Sequence, residues 1–426
     1  MRAEHWRHLP LAHWLLLATL VLLPFGMASE LAVLAGAVLG GFSLIRRQID
    51  WQRPGVKLAL VLGAAYWLPQ LFSAFDSVSP SKSWSEAVLD LRFLLFLLYV
   101  ANTRCGARDT KFLGGGIAAI VVFWCLDALL QAATGYSLGG LATSDRLSGI
   151  FGADNLKLGG VLAALAPFAL SESWHRGGRL ALATVTVVLL VVILLAGARA
   201  AWFGFALGAA LSFWHILGRR RAVTALLALS LAALLSGIIG YSLSERFAQR
   251  VDRTAAVLSG DYAALDHALA GRLAIWETAW RMGEAHPVNG VGVRAFRYAY
   301  PEFAAPDDPF VDTDGTHGAL HAHQIVLELW SETGSIGLGL WLAALFIAWH
   351  IARHMPKTSR MMAQPASIAL VVALFPLNTH YAVYSAFWGL LLMWLAAIWL
   401  ILPGGQSGQA EDSIGTNGQS ARCRQR

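Results

Sequence analysis

Three histidines, His317, His321 and His323, crowd into "GTHGALHAH", directly ahead of the apolar run "QIVLELWSETGSIGL". Imidazole titrates near neutral pH and binds metals, so two chemistries are open. The first is a metal centre, with Asp307, Asp308, Asp312 and Asp314 as nearby carboxylates. Against it, Pro306, Pro309, Gly315 and Gly318 break the stretch into turns, and "DTDG" lacks the downstream Glu of a calcium loop. The sequence is read as carrying no metal and no cofactor. The second is proton transfer. His323 opens a helix, where the macrodipole favours a neutral imidazole that can take a proton from a hydroxyl. Taken alone, the pattern also fits histidines that merely cap a surface loop.

Two arginines suggest what such a base would act beside. Arg199 sits in "LLAGARAAWFGF", a short hinge between apolar runs, where a cation must snorkel to headgroups, pair, or bind an anion. Arg272 precedes Leu273 and Trp276 on a helical pattern and could equally be a solvated surface residue. Guanidinium forks match phosphate oxygens in pairs and keep their charge, so two of them suit a pyrophosphate.

The elements that hold these residues are set by composition. The chain has 426 residues, 57% hydrophobic and 14% charged, with mean hydropathy +0.56. A soluble domain carries nearly twice that charge density. Continuous apolar runs recur, each long enough for a ~30 Å hydrocarbon core, which predicts an all-α polytopic membrane protein and disfavours a barrel. Twelve spans are predicted, near 11–27, 29–45, 57–75, 88–102, 112–134, 158–172, 180–197, 200–217, 222–243, 333–352, 364–382 and 384–402. Alternate connections, "RRQIDWQRPGVK", "NTRCGARDTK", "HRGGR", "GRRR" and "ARHMPKTSR", hold with the termini 20 of the 32 Lys and Arg. The positive-inside rule places these and both termini in the cytoplasm. The pI near 9.4 thus reflects topology and not nucleic-acid binding. Cys105 and Cys423 fall inside and Cys125 in a span, so no disulfide is expected.

The predicted organisation is 1–243 with nine spans, a large periplasmic loop at 244–320, 321–403 with a helix start and three spans, and a disordered tail at 404–426. A loop of that length is expected to be functional. Within it, "YAALDHALAGRLAIWETAWRMGEAHP" predicts a helix with Leu269, Leu273, Trp276 and Trp280 on its apolar face, lying on the membrane surface and stopped by Pro287. The interior holds few charges: Asp127, and Arg92 with Asp90 near the edge of a span. A transporter would place ionisable groups at the midplane and show two related halves, and neither is evident.

Taken together, three motifs resemble the O-antigen ligase and polymerase family. "HAHQIVLELWSETGSIGL" is similar to its signature through His323, Gln324, Leu327, Glu332, Gly334, Gly337 and Leu338, with Gln324 where Asn is more usual. "GARAAW" resembles its small-Arg-small step, at Arg199. "GRLAIWETAWRMGEAHPVNGVGVRAF" resembles two further elements, through Arg272, Trp276, His286, Pro287, Gly290 and Gly292. The resemblance implies a GT-C-like membrane glycosyltransferase. It would move a glycan from undecaprenyl pyrophosphate to a sugar hydroxyl of lipid A-core, on the periplasmic face of a bacterial inner membrane. It implies an inverting, metal-independent reaction, with Arg199, Arg272 and His323 catalytic and Arg199, Arg272, Trp276, His321 and Gln324 binding substrate. Polymerisation of O-antigen and protein O-glycosylation are the other activities of the family. The absence of a large extra soluble domain favours the ligase.

Overall fold

The computed structural model describes residues 9–402 except 143–145, 154, 244, 246, 247, 250, 253–270, 377 and 380. The predicted tail at 404–426 and the first part of the loop helix, with Leu269, lie outside the described residues. The helices are α1 (Leu11–Leu22, extended by a 3-10 turn at Leu23–Phe25), α2 (Ala28–Ile45), α3 (Pro54–Ser73), α4 (Pro80–Asn102), α5 (Ala107–Thr134), α6 (Lys157–Leu195), α7 (Arg199–Leu217) and α8 (Arg219–Leu243). After them come α9 (Arg272–Ala285), α10 (Phe296–Phe303), α11 (Ile325–His354), α12 (Lys357–Leu374) and α13 (Ala386–Ile401). Among the described residues the only strands are the two-residue pair β1 (Tyr136–Ser137) and β2 (Gly140–Leu141), joined antiparallel.

Seven of these helices, α2, α3, α5, α6, α7, α8 and α11, are long and apolar enough to cross a membrane. Their packing fits a lipid solvent. Along α8, Leu227, Leu231, Leu234, Leu235 and Ile238 are all exposed, which water would penalise and hydrocarbon does not. The centre is α13, buried from Trp388 to Ile401. Two of its indoles reach across to neighbours: Trp394 Nε1 donates to the Leu16 carbonyl at 2.8 Å and Trp399 Nε1 to Ser367 Oγ at 2.9 Å.

Several predicted boundaries move. The spans expected at 158–172 and 180–197 are two arms of α6 on either side of Gly178, which is non-helical at φ 63°, ψ −145°. α12, which holds the span expected at 364–382, stops at Leu374, because the chain turns extended at Phe375 ahead of Pro376. α4 starts at Pro80, eight residues before the expected 88, with proline in the first turn where no amide is lost. Arg92 is therefore mid-helix, not at an edge. It is neutralised there by Glu30 at 2.9 Å and Asp90 at 2.8 Å. Asp127 accepts the Leu138 amide at 2.8 Å and so pins the β1–β2 turn.

The loop between α8 and α11 folds on a small core of its own. Ile275, Ala279 and Met282 of α9 pack with Phe296 and Tyr300 of α10 and with Ala322. This is a second face of α9, and the stripe predicted to lie on the membrane surface is not the one that packs on the loop core. Leu273 and Trp276 are half-buried and Trp280 is exposed, because α9 carries apolar residues on two faces and the smaller ones fit against α10.

α11 is broken at Gly334 (φ 61°, ψ −158°), and the loop repairs the break. The Ser331 and Glu332 carbonyls accept the Val291 and Gly292 amides at 2.8 and 3.1 Å. The Ser335 and Ile336 amides donate to the Pro287 and Val288 carbonyls at 2.9 and 3.2 Å. Irregular backbone inside a membrane protein survives only when its polar groups are answered like this. "HPVNGVG" is thus the plug for the broken helix. At Gly290, φ is +69° and an added Cβ would lie 2.4 Å from the Glu332 carbonyl carbon, so nothing larger fits. Gly290→Ala is expected to destabilise the protein by about 2 kcal/mol or more. The check is thermal unfolding in detergent, where the variant should melt several degrees below the parent.

Candidate active site

The arginines come first, because both occupy the same position in their helices. Arg199 is the first residue of α7, after a turn through Gly197 (φ 71°) and extended Ala198. Arg272 is the first residue of α9, after Gly271 at φ 75°. Each guanidinium therefore stands at a helix N-terminus, where the macrodipole favours an anion. Arg272 is half-buried, and its Nη1 donates to Thr379 Oγ1 at 2.7 Å. Burial, and then the charge of Arg199, hold the Arg272 guanidinium below the ordinary arginine range. The fold thus brings two like charges within electrostatic reach although 73 positions separate them in sequence. Trp276, one turn beyond Arg272, buries its Nε1 without an acceptor among the described residues.

The histidines divide. Ala322 is fully buried in the loop core, which leaves His321 and His323 flanking it with their rings 4.0 Å apart. His323 has φ +53°, a left-handed conformation that costs a non-glycine residue of order 1 kcal/mol and that the fold must impose. His317 stands apart from this pair. It contacts Asp312 at 3.3 Å and packs edge-on against Tyr298 at 5.1 Å. Residues 304–324 contain no helix, as the prolines and glycines predict. Asp312, Asp314 and His317 do cluster, but they are partly or fully exposed and are linked through Thr316. Asp308 is committed to Tyr300 and the Phe310 amide.

Gln324 is the N-cap of α11. Its Oε1 accepts the Leu327 amide at 2.6 Å, and its Nε2 donates to the Pro376 carbonyl at 3.3 Å. Gln324 and Arg272 therefore dock on one loop, at positions 376 and 379. Three residues span at most about 11 Å of chain, so the arginine and histidine halves of the site share one anchor.

Glu328 fastens the same loop. It is fully buried and accepts the Val383 and Tyr384 amides at 2.7 and 3.2 Å. Glu332, one turn later and also fully buried, accepts the Arg294 amide at 2.6 Å, where Arg294 sits at φ +58°. The motif glutamate is thus a brace for the turn that plugs the helix. Sequence reasoning gave Glu328 and Thr379 no role. The i, i+4 pair of acids on an apolar helix was a signal for Glu328. For Thr379 there was none.

A helical membrane protein with a folded loop, two arginines that each open a helix and a close pair of histidines is the class this arrangement defines. Residues 184–342 match the family described as O-antigen ligase, a stretch that contains Arg199, Arg272, Trp276, His321, His323 and Gln324. Over that stretch the chain is similar to the O-antigen ligase family, which supports glycan transfer of the ligase or polymerase type. A search of the curated proteins finds no match.

Proposed function

We propose that the protein is an O-antigen ligase with the twelve-span, GT-C-like architecture expected from its sequence. In this reading it transfers a glycan from undecaprenyl pyrophosphate to a sugar hydroxyl of lipid A-core on the periplasmic face of the bacterial inner membrane. The observation that carries it is that Arg272, within electrostatic reach of Arg199, docks on the same 376–379 loop as Gln324, the residue that follows His323. As the bond between the anomeric carbon and the phosphate oxygen breaks, negative charge grows on the departing pyrophosphate. Two guanidiniums bind that charge most tightly in the transition state. The acceptor hydroxyl attacks the anomeric carbon from the opposite side, and His323 takes its proton. A single in-line displacement inverts the anomeric centre. Trp276 offers a ring to a sugar, and Gln324 keeps the helix start and the 376–379 loop in register.

An apolar cavity of about 500 Å³ supports a lipid-linked donor. Its walls include Tyr66, Trp341, Ala348, Trp349 and Trp399, and it reaches Phe375 and Pro376, the start of the loop that Gln324 and Arg272 hold. A polyprenyl chain lying there would have its pyrophosphate end near the arginines. Ala348→Trp, which fills the cavity, is expected to raise KM for the lipid-linked donor several-fold with kcat little changed, as steady-state kinetics would show.

The deciding experiment is a deletion strain examined by lipopolysaccharide gel. Ligase loss leaves core without a ladder while lipid-linked polymer persists. Core carrying a single repeat would make the protein a polymerase.

A further inference from the structure

We propose that His13, Cys105 and Asp109 form a binding site for a divalent cation of the zinc class, at the end of the bundle remote from the loop domain. These residues supply one nitrogen, one sulfur and one oxygen, all within 4.8 Å of one another. In a tetrahedral zinc site neighbouring ligand atoms stand about 3.3–3.8 Å apart, so side-chain movements of roughly 1 Å close the shell, with water as fourth ligand.

The histidine supplies the independent observation. His13 is 0% exposed. Its Nδ1 lies 3.3 Å from the Pro10 carbonyl, which can only accept, so Nδ1 carries the hydrogen. Nε2 is then a bare lone pair, and it is buried with no hydrogen-bond partner. A ring with one nitrogen oriented by a backbone carbonyl and the other left unprotonated is the form in which histidine binds metals. The other two groups are similarly held. Asp109 accepts the Gly106 amide at 2.8 Å, which fixes its carboxylate. Cys105 is 4% exposed, and its Sγ makes only long contacts, 3.7 Å to the Gly106 carbonyl and 3.6 Å to Thr110 Oγ1.

Charge selects the cation. A thiolate, a carboxylate and a neutral imidazole total minus two, so a divalent ion leaves the buried site neutral, while the mixed donors suit zinc better than magnesium or calcium. The site joins α1 to the start of α5, which also meet through Trp14 and Phe112 at 5.1 Å. It takes no part in transfer. Ser83, near the start of α4, donates to the Val293 carbonyl of the loop domain at 2.7 Å, whereas Cys105 follows the other end of that 23-residue helix, about 34 Å away.

The test is a cobalt titration of the full chain, purified without a histidine tag and carrying Cys423→Ser. One equivalent of Co²⁺ should give a sulfur-to-cobalt charge-transfer band that Zn²⁺ abolishes. Cys105→Ser, nearly isosteric, should remove the band while keeping the parent's glycan transfer. Asp109→Asn and His13→Gln should weaken binding at least tenfold. No band in the parent, or a band that survives Cys105→Ser, would overturn the proposal, and neither result bears on the reaction at the arginines.

Discussion

Replacing His323 with alanine is expected to lower glycan transfer by a factor of about 10² or more, the usual effect of losing a general base and equal to about 2.7 kcal/mol of barrier. The backbone makes the control important. His323 occupies a left-handed conformation, so alanine there adds strain as well as removing the imidazole. Asparagine tolerates that conformation better than most residues and cannot act as the base. His323→Asn is therefore expected to fold as well as the parent and to lose as much activity as His323→Ala. His317→Ala should cost little, since His317 stands apart with Asp312 and Tyr298. Transfer should also survive EDTA, which is best measured in Cys105→Ser so that chelation reports on the reaction site alone. Abolition by chelator with recovery on adding zinc, magnesium or calcium would sink the proton-transfer reading and move attention to Asp312, Asp314 and His317.

The arginines should be as intolerant of a change that keeps their charge. Arg272→Lys and Arg199→Lys are each expected to reduce turnover by about 10- to 10²-fold, with the protein still present in the membrane. A lysine retains one positive charge but loses the planar fork. At 272 it also loses the geometry that satisfies Thr379 Oγ1 while facing a pyrophosphate. Burial first, and then the neighbouring charge of Arg199, hold the Arg272 guanidinium below the ordinary arginine range. The bound pyrophosphate offsets that unfavourable environment, and it gains a further negative charge as the anomeric C–O bond breaks, so the benefit is greatest in the transition state. If either lysine variant turns over at the parent rate, that arginine has only a surface or headgroup role.

The fates of individual residues mark where sequence reasoning ends. Apolar runs identify a membrane protein because hydrocarbon thickness sets a minimum length that few other contexts demand. Where a helix starts or breaks is less legible. Gly334 sits inside a run that reads as one span, and only the partner segment Pro287–Gly292 decides that the helix breaks there. Which face of α9 meets the loop core is not legible, because Leu273, Trp276 and Trp280 match helical periodicity as well as Ile275, Ala279 and Met282 do. Periodicity alone cannot say which stripe has something to pack against.

The sequence by itself determined the class of protein, the positions of Arg199, Arg272 and His323, and their likeness to a glycan-transferring family, because those depend on residue type and local spacing. Tertiary structure decided that two arginines 73 positions apart share one electrostatic environment. It also decided that Gln324 and Arg272 grip the same loop, and that Glu328 and Glu332 serve as braces. The physical reason is that hydrogen bonds and charge–charge terms depend on distance in space, and chain separation does not constrain that distance until the helices have packed.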